Sequence, residues 1–559
     1  MRRLLLVFAS LTALAFAVAP DAASAATKSA GPPPDVAAPL FVITDLKTVP
    51  PGFAIDGAQA EAVAKTSPKM QAIHRAHHPL EIQVVLWVRS HYEIEFYFHG
   101  KVIADQTVTP IGQLGPLYTG PLIGALYARG HYGDIFDSPW VLASFTLMFL
   151  LPIVLLRGRS WWDRLDLAAV LAFGVSYALF DTTRFYAGVW AFYPVLVYLL
   201  VRMLIRGLRP RSSIGRLGCR LPTIVLVLGV AAMEVARIII TLHPAGVIDV
   251  GVASALGAYK ILHGQSIYYF SYGHGDTYGP LNYLAYVPFE LLWPGNWGYL
   301  PAARAATIAF DLLTIAGLVW LGMRLRAGRD GRRLGLLLAW LWVACPFSLL
   351  GMEKSTNDGL VALIVVLIML TLSSPIKRGI LVGVGAASKF FPAIMLPLIA
   401  VGPGNTDQRT VRKVLAAFVI TVGASIAVFL PPGGFTEFWQ HTIGFQLTRT
   451  DVFSLWALYP ALAPIKVALE GFAVILAVVV AFRPRGARSP AQVAALAAAL
   501  TVAVQLPAVH WFYLYIVWFL PLVFVAVLGA DPPPTLEPGP LDTAAELEPA
   551  QAGMALAGA

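Results

Sequence analysis

Cysteine is almost missing from this chain of 559 residues: Cys219 sits in a basic loop and Cys345 in an apolar segment. That pair supports neither a disulfide framework nor a thiolate metal site. Charge is scarce too, at 13% of residues, where a soluble domain carries about 25%. No G-x-x-x-x-G-K-[ST] phosphate loop occurs, which argues against direct use of ATP. What fills the chain instead is apolar: 58% of residues are hydrophobic and the mean hydropathy is +0.70. A water-soluble globule is excluded, and the composition predicts a mainly α, polytopic membrane protein.

The net charge of +9 does not point to nucleic acid, because the basic residues fall in short runs between apolar segments. Arg157, Arg159 and Arg164 form one run, Arg206 to Arg220 a second, Arg324 to Arg333 a third, and Arg483, Arg485 and Arg488 a fourth. Under the positive-inside rule these loops are cytoplasmic. Apolar segments of near-spanning length occur at about 140–156, 166–181, 188–205, 221–240, 302–322, 333–350, 358–373, 379–400, 412–430, 463–482, 491–508 and 511–530. About 11–12 transmembrane helices are therefore expected over 139–530, with 241–301 and 431–462 as two long outer loops on one face. Parity requires one segment not to cross. Segment 379–400 is the candidate, since Lys389 and Pro392 interrupt it in a way tolerated only inside protein or beside water.

The ends read differently. Residues 1–25 have a basic start, an apolar run and Ala23-Ser24-Ala25, the pattern of a secretory signal peptide. Residues 531–559 are rich in proline and acids and read as a disordered tail. Between signal and first span, 26–138 is expected to hold a small extracytoplasmic α+β domain with a linker. Asp56 to His77 has helical spacing, and three strand-like runs follow at 81–88, 92–98 and 101–108. In the second, Tyr92, Ile94, Phe96 and Phe98 alternate with Glu93, Glu95 and Tyr97, predicting one face to a core and one to water. His99-Gly100-Lys101 supplies the hairpin turn. Helix and strands together resemble a PepSY domain, which implies a binding or regulatory module. His74, His77 and His78 on the helix end read as solvated, and no metal site is assigned.

Chemistry concentrates in the first outer loop. Asp249 follows a span by only a few residues, which places its carboxylate near the lipid–water boundary where a base for a lipid-linked substrate is wanted. It is equally suited to cap the segment that follows. Ten aromatic residues lie from Tyr259 to Trp293, among His263, His274 and Asp276. Tyr268, Tyr269 and Tyr278 stand near the acids, whereas Trp293, Trp297 and Tyr299 suit an interfacial belt. Lys389, an ammonium inside an apolar run, costs about 2.5–3.5 kcal/mol to insert and needs a partner. Glu234 and Arg237, three apart, are expected to pair with each other.

Asp249, Tyr259-Lys260-Ile261-Leu262-His263-Gly264, Ile267-Tyr268, Tyr278-Gly279-Pro280-Leu281 and Pro288 follow one another in an order similar to the first outer loop of GT-C glycosyltransferases. The order most resembles glycosyltransferase family 87, the polyprenol-phosphate-mannose-dependent mannosyltransferases. Cys345-Pro346-Phe347, Asn357-Asp358-Gly359, Ser388 to Ala393, Ser454-Leu455-Trp456 and the run Trp511 to Pro521 agree with it. The resemblance spans about 221–530, and departs from the family at Gly279, where proline is usual. It implies transfer of a hexose, mannose by the family's habit, from a polyprenyl-phosphate donor to a glycolipid or glycan acceptor. Inversion at the sugar carbon, on the extracytoplasmic side of a bacterial-type plasma membrane, is implied as well. No bound cofactor or divalent metal is indicated. On that reading Asp249 is the base, with Asp276 and then Asp358 behind it, and Lys389 steadies the phosphate. Tyr259, His263, Tyr268, Tyr269, His274, Tyr278, Arg304 and Arg449 are the further substrate-binding candidates. A membrane transporter, or an envelope sensor using the PepSY-like domain, stays open as an alternative.

Overall fold

The computed structural model describes residues 40–529, except 44, 88–90, 100, 121–122, 124–134, 137, 183, 210–217, 244–246, 269–275, 298, 404–406, 449–452 and 485. The expected signal peptide and tail lie outside the described residues. The first unit is a five-stranded antiparallel sheet in sequential order, β1 (Leu40–Val42), β2 (Glu81–Trp87), β3 (His91–Phe98), β4 (Lys101–Val108) and β5 (Leu114–Thr119). Two helices, α1 (Gly57–Lys65) and α2 (Pro68–Ala76), precede β2. The single helix expected over 56–77 is split because Pro68 has no N–H to continue α1. Asp56 caps α1: its carboxylate accepts the Gln59 N–H at 2.7 Å while the Gln59 side chain accepts the Asp56 N–H at 3.0 Å.

The sheet does not have the wet face that its alternation predicts. Tyr92, Ile94 and Phe96 pack with Ala60, Ala64 and Met70, as expected. On the other face Glu93, Glu95 and Tyr97 are buried as well. That face meets the membrane part: Tyr97 and Val102 join its core, and the Tyr97 and Tyr186 rings lie 6.2 Å apart. Asp105, directly across from Glu95, is fully buried and has no hydrogen-bond partner on either carboxylate oxygen among the described residues.

Among the described residues, five helices are long and apolar enough to cross a membrane: Tyr186–Leu208, Thr223–Leu242, Pro301–Leu325, Gln408–Val428 and Pro460–Phe482. A sixth arises if Gly328–Ala344 and Pro346–Glu353, bent by 62°, count as one span. Pro139–Val154, Asp358–Leu370, Phe391–Val401, Pro490–Gln505 and Tyr513–Leu528 are apolar but shorter. The dozen equal spans read from hydropathy are thus a mixture, and 166–181 is no single helix. It divides into Trp161–Ala168, a 3₁₀ turn and Phe173–Asp181. Segment 379–400 is broken, as expected: helix Pro375–Lys389 stops at Phe390, whose φ is +46°, and a 3₁₀ turn resumes at Phe391.

Arginines stitch one end of the bundle together. Arg202 and Arg206 pair with Asp166, Arg159 donates to the carbonyls of Val527 and Leu528, and Arg333 donates to those of Cys219 and Leu221. These are the basic loops that hydropathy assigns to a single face. Deeper in the bundle, Arg237 is more than the local partner of Glu234. It reaches Asp311 at 2.6 Å and Ser348 Oγ at 2.9 Å, joining three helices through one side chain.

Candidate active site

Three charged residues of the site stand at helix ends. Asp249 is the first residue of helix Asp249–Leu262, Asp358 the first of Asp358–Leu370, and Lys389 the last of Pro375–Lys389. All three line one cavity of about 450 Å³. Asp249 is half-buried, and its carboxylate accepts the Val250 N–H at 2.9 Å, so it sits one place inside the cap, which is Ile248. The neighbouring turn holds this helix in place. The Ile248 N–H donates to the Lys354 carbonyl at 3.3 Å, and a Cβ on Gly251 would lie 2.4 Å from the Ser355 carbonyl oxygen. Asn357 and Asn282 each donate to the Ser254 hydroxyl, at 3.3 and 3.0 Å, so the turn before Asp358 is tied to the helix after Asp249.

Lys389 and Asp358 form a buried ion pair, and the Trp518 Nε1–H donates to the same carboxylate oxygen at 2.7 Å. The ammonium is also caged by rings, with Trp518, Tyr278 and Tyr515 at 5.2, 5.4 and 5.9 Å. Such a cage attracts a cation electrostatically. Phe391 stacks on Trp518 at 4.3 Å and keeps the cage rigid.

Gly279 explains how Tyr278 reaches the cage. Its N–H donates to the Ser388 carbonyl at 3.0 Å, and a Cβ there would stand 2.1 Å from the Ala387 carbonyl oxygen. The chain at Gly279 therefore lies directly on the end of the lysine helix. A proline at 279 would lose the bond and collide.

The remaining candidates divide. Tyr278 lines the cavity. Tyr268 is buried beneath it and donates to the Tyr278 carbonyl at 2.8 Å. Asp276 does not line the cavity; it pairs with His441 of the turn Gln440–Gly444 at 2.6 Å. Tyr259 and His263 stack on each other beside Trp297, also off the cavity lining. Burial raises the Glu290 carboxyl to about 7, against the lowering effects of the Gly295 N–H and His263. Arg304 is buried against the carbonyls of Tyr299, Thr241 and His243 and clamps the end of the preceding span. Tyr269, His274 and Arg449 lie outside the described residues.

Several lining residues escape sequence reasoning: His510, Gln505, Gln446 and the Lys466–Glu470 pair. Their signal is faint, a polar residue at the edge of an apolar run, which any interface also produces. Another stretch of the lining, Ile443, Leu447, Ala473 and Val474, is apolar, and Leu447 and Val474 are exposed. The cavity thus joins a charged end to an apolar wall.

No curated protein matches the chain. Residues 277–528, which carry Asp358, Lys389 and their aromatic cage but begin after Asp249, match the model of glycosyltransferase family 87. With the apolar helices, that match supports a membrane glycosyltransferase.

Proposed function

We propose that the protein moves a hexose, mannose by its resemblance, from a polyprenyl-phosphate donor to a glycolipid or glycan acceptor on the outer face of the membrane. The observation that carries this reading is the cavity that joins Asp249, the Lys389–Asp358 pair and an apolar wall suited to an isoprenoid chain. Asp249 takes the proton of an acceptor hydroxyl, whose oxygen then attacks the anomeric carbon. The bond from that carbon to the phosphate oxygen breaks, and polyprenyl phosphate leaves with the electron pair. Since a phosphate monoester has a second pKa of about 6, it leaves without a strong acid, and the ammonium of Lys389 balances its charge. Attack opposite the departing phosphate inverts the centre.

The test is transfer from radiolabelled polyprenyl-phosphate sugars by membranes carrying wild type, Asp249→Asn, Asp276→Asn or Asp358→Asn. We expect Asp249→Asn to lower kcat by about 10²–10⁴-fold, the usual contribution of a positioned base. Full activity in that variant would sink the assignment. Solute uptake into proteoliposomes, with no transfer from any donor, would favour a transporter instead.

A further inference from the structure

The two outer loops meet at a contact that the transfer chemistry does not use. His441 lies in the π-helical turn Gln440–Gly444, between helices Gly434–Trp439 and Phe445–Thr448, and its Nδ1 stands 2.6 Å from Asp276 Oδ2. Such turns are rare and recur at functional positions. Both side chains are largely buried, 11% and 7% exposed.

The pair joins two segments that line the cavity. Immediately after Asp276 come Thr277 and Tyr278, both lining residues, and Tyr278 lies over the Lys389 ammonium. After His441, Ile443, Gln446 and Leu447, all within two turns of it, line the cavity as well. Beneath the pair, Phe438 packs edge-on against Tyr268 at 5.1 Å, and Tyr268 holds the Tyr278 carbonyl. We propose that Asp276–His441 is a clasp that keeps the two walls of the cavity together, making His441 a positioning residue for the transfer reaction and wall closure dependent on pH. The positioning role of His441 rests on the proposed transfer function; the clasp itself does not.

The charged and titratable groups around the clasp are Asp276 from the first loop, Lys260 from helix Asp249–Leu262, and Glu437 one turn earlier on the helix of His441. Tyr268 and Tyr283 also face Asp276. The hydrogen bond and charge of Asp276 hold the imidazole above its ordinary range, Glu437 adds to this, and burial and Lys260 oppose it. A raised folded-state value means that the clasp is fully formed below the free histidine value of 6.5 and is lost as pH rises through the raised value.

The test uses the full chain in lipid nanodiscs. Hydrogen exchange is followed over residues 276–283 and 434–448 from about pH 6 to about pH 9, with intrinsic rates corrected. Wild type is expected to lose protection in both segments as pH rises. His441→Gln and Asp276→Asn are expected to exchange fast throughout, and the exchanged pair Asp276→His with His441→Asp is expected to regain protection. Under transfer conditions each single variant should raise the donor KM about tenfold, change kcat little and flatten the alkaline limb of the profile. Protection identical to wild type in His441→Gln, or an exchanged pair no better than the single variants, overturns the clasp. Should no donor support transfer while exchange behaves as stated, the glycosyltransferase reading fails and the clasp stands.

Discussion

Lys389 is the residue on which structure and chemistry compete most directly. Its ammonium neutralises Asp358 in the folded protein and is also the cation assigned to the departing phosphate. Removing one partner of a buried pair costs about 3–5 kcal/mol, whereas removing both is often close to neutral. Lys389→Met alone should therefore lower the melting temperature sharply, and Asp358→Asn with Lys389→Met should recover most of it. Activity separates the roles: if Lys389 serves the phosphate, the double variant is stable and inactive. Thermal melting in detergent beside a transfer assay reads both. Recovery of transfer along with stability would reduce the lysine to a structural ion.

Gly279 is legible as a departure from a family pattern, but its reason is not. Nothing in Tyr278-Gly279-Pro280-Leu281 says that the Ala387 and Ser388 carbonyls lie against it; that is a contact between elements over a hundred residues apart. Overpacking such a contact costs about 1–3 kcal/mol, so Gly279→Ala should weaken transfer and lower thermal stability. Gly279→Pro should be worse, since it also loses the bond to Ser388, even though proline is the residue the family usually has there. Parallel kinetics and melting of the two variants check the order.

The sheet offers a second lesson at the level of elements. Alternation in β3 correctly assigned Tyr92, Ile94 and Phe96 to the helix side, and a hairpin register follows from such a pattern. It failed for Glu93 and Glu95, because an alternating strand cannot show that a membrane domain will cover its polar face. Asp105 feels the consequence: burial, then the charges of Glu93 and Glu95, push its carboxyl well above the ordinary range. With the folded value raised, Asp105 favours folding below its unfolded value and progressively opposes it as pH rises through the folded one. Asp105→Asn should hence leave stability near pH ~4 unchanged and increase it by about 1 kcal/mol or more at neutral pH. Scanning calorimetry of the full chain across pH tests this, and an unchanged profile would contradict it.

At the scale of the molecule, composition and the spacing of arginines were enough to read a helical membrane protein, since both act over whole segments. The interrupted helix at Lys389 was legible for the same reason, a cation and a proline in an apolar run. Equal spanning of a dozen segments was not, because hydropathy does not register bends such as the 62° turn at Cys345. Four residues of the cavity lining, Asp249, Tyr278, Asp358 and Lys389, were legible because their polarity stands out from their neighbours. His441 and His510 were not, since each belongs to the site only through the packing of distant loops.

The helix termini that carry the three charges have one last implication. Carboxylates at the starts of Asp249–Leu262 and Asp358–Leu370, and an ammonium at the close of Pro375–Lys389, each match the sign that the backbone's aligned peptide dipoles favour there. The scaffold thus supplies part of the solvation that water would give these ions, and it does so only in the first or last turn. A single-residue insertion between Lys389 and Phe390 would leave every side chain in the chain but carry the helix end past its lysine. Such a register shift, more than any single substitution, is what this architecture cannot absorb.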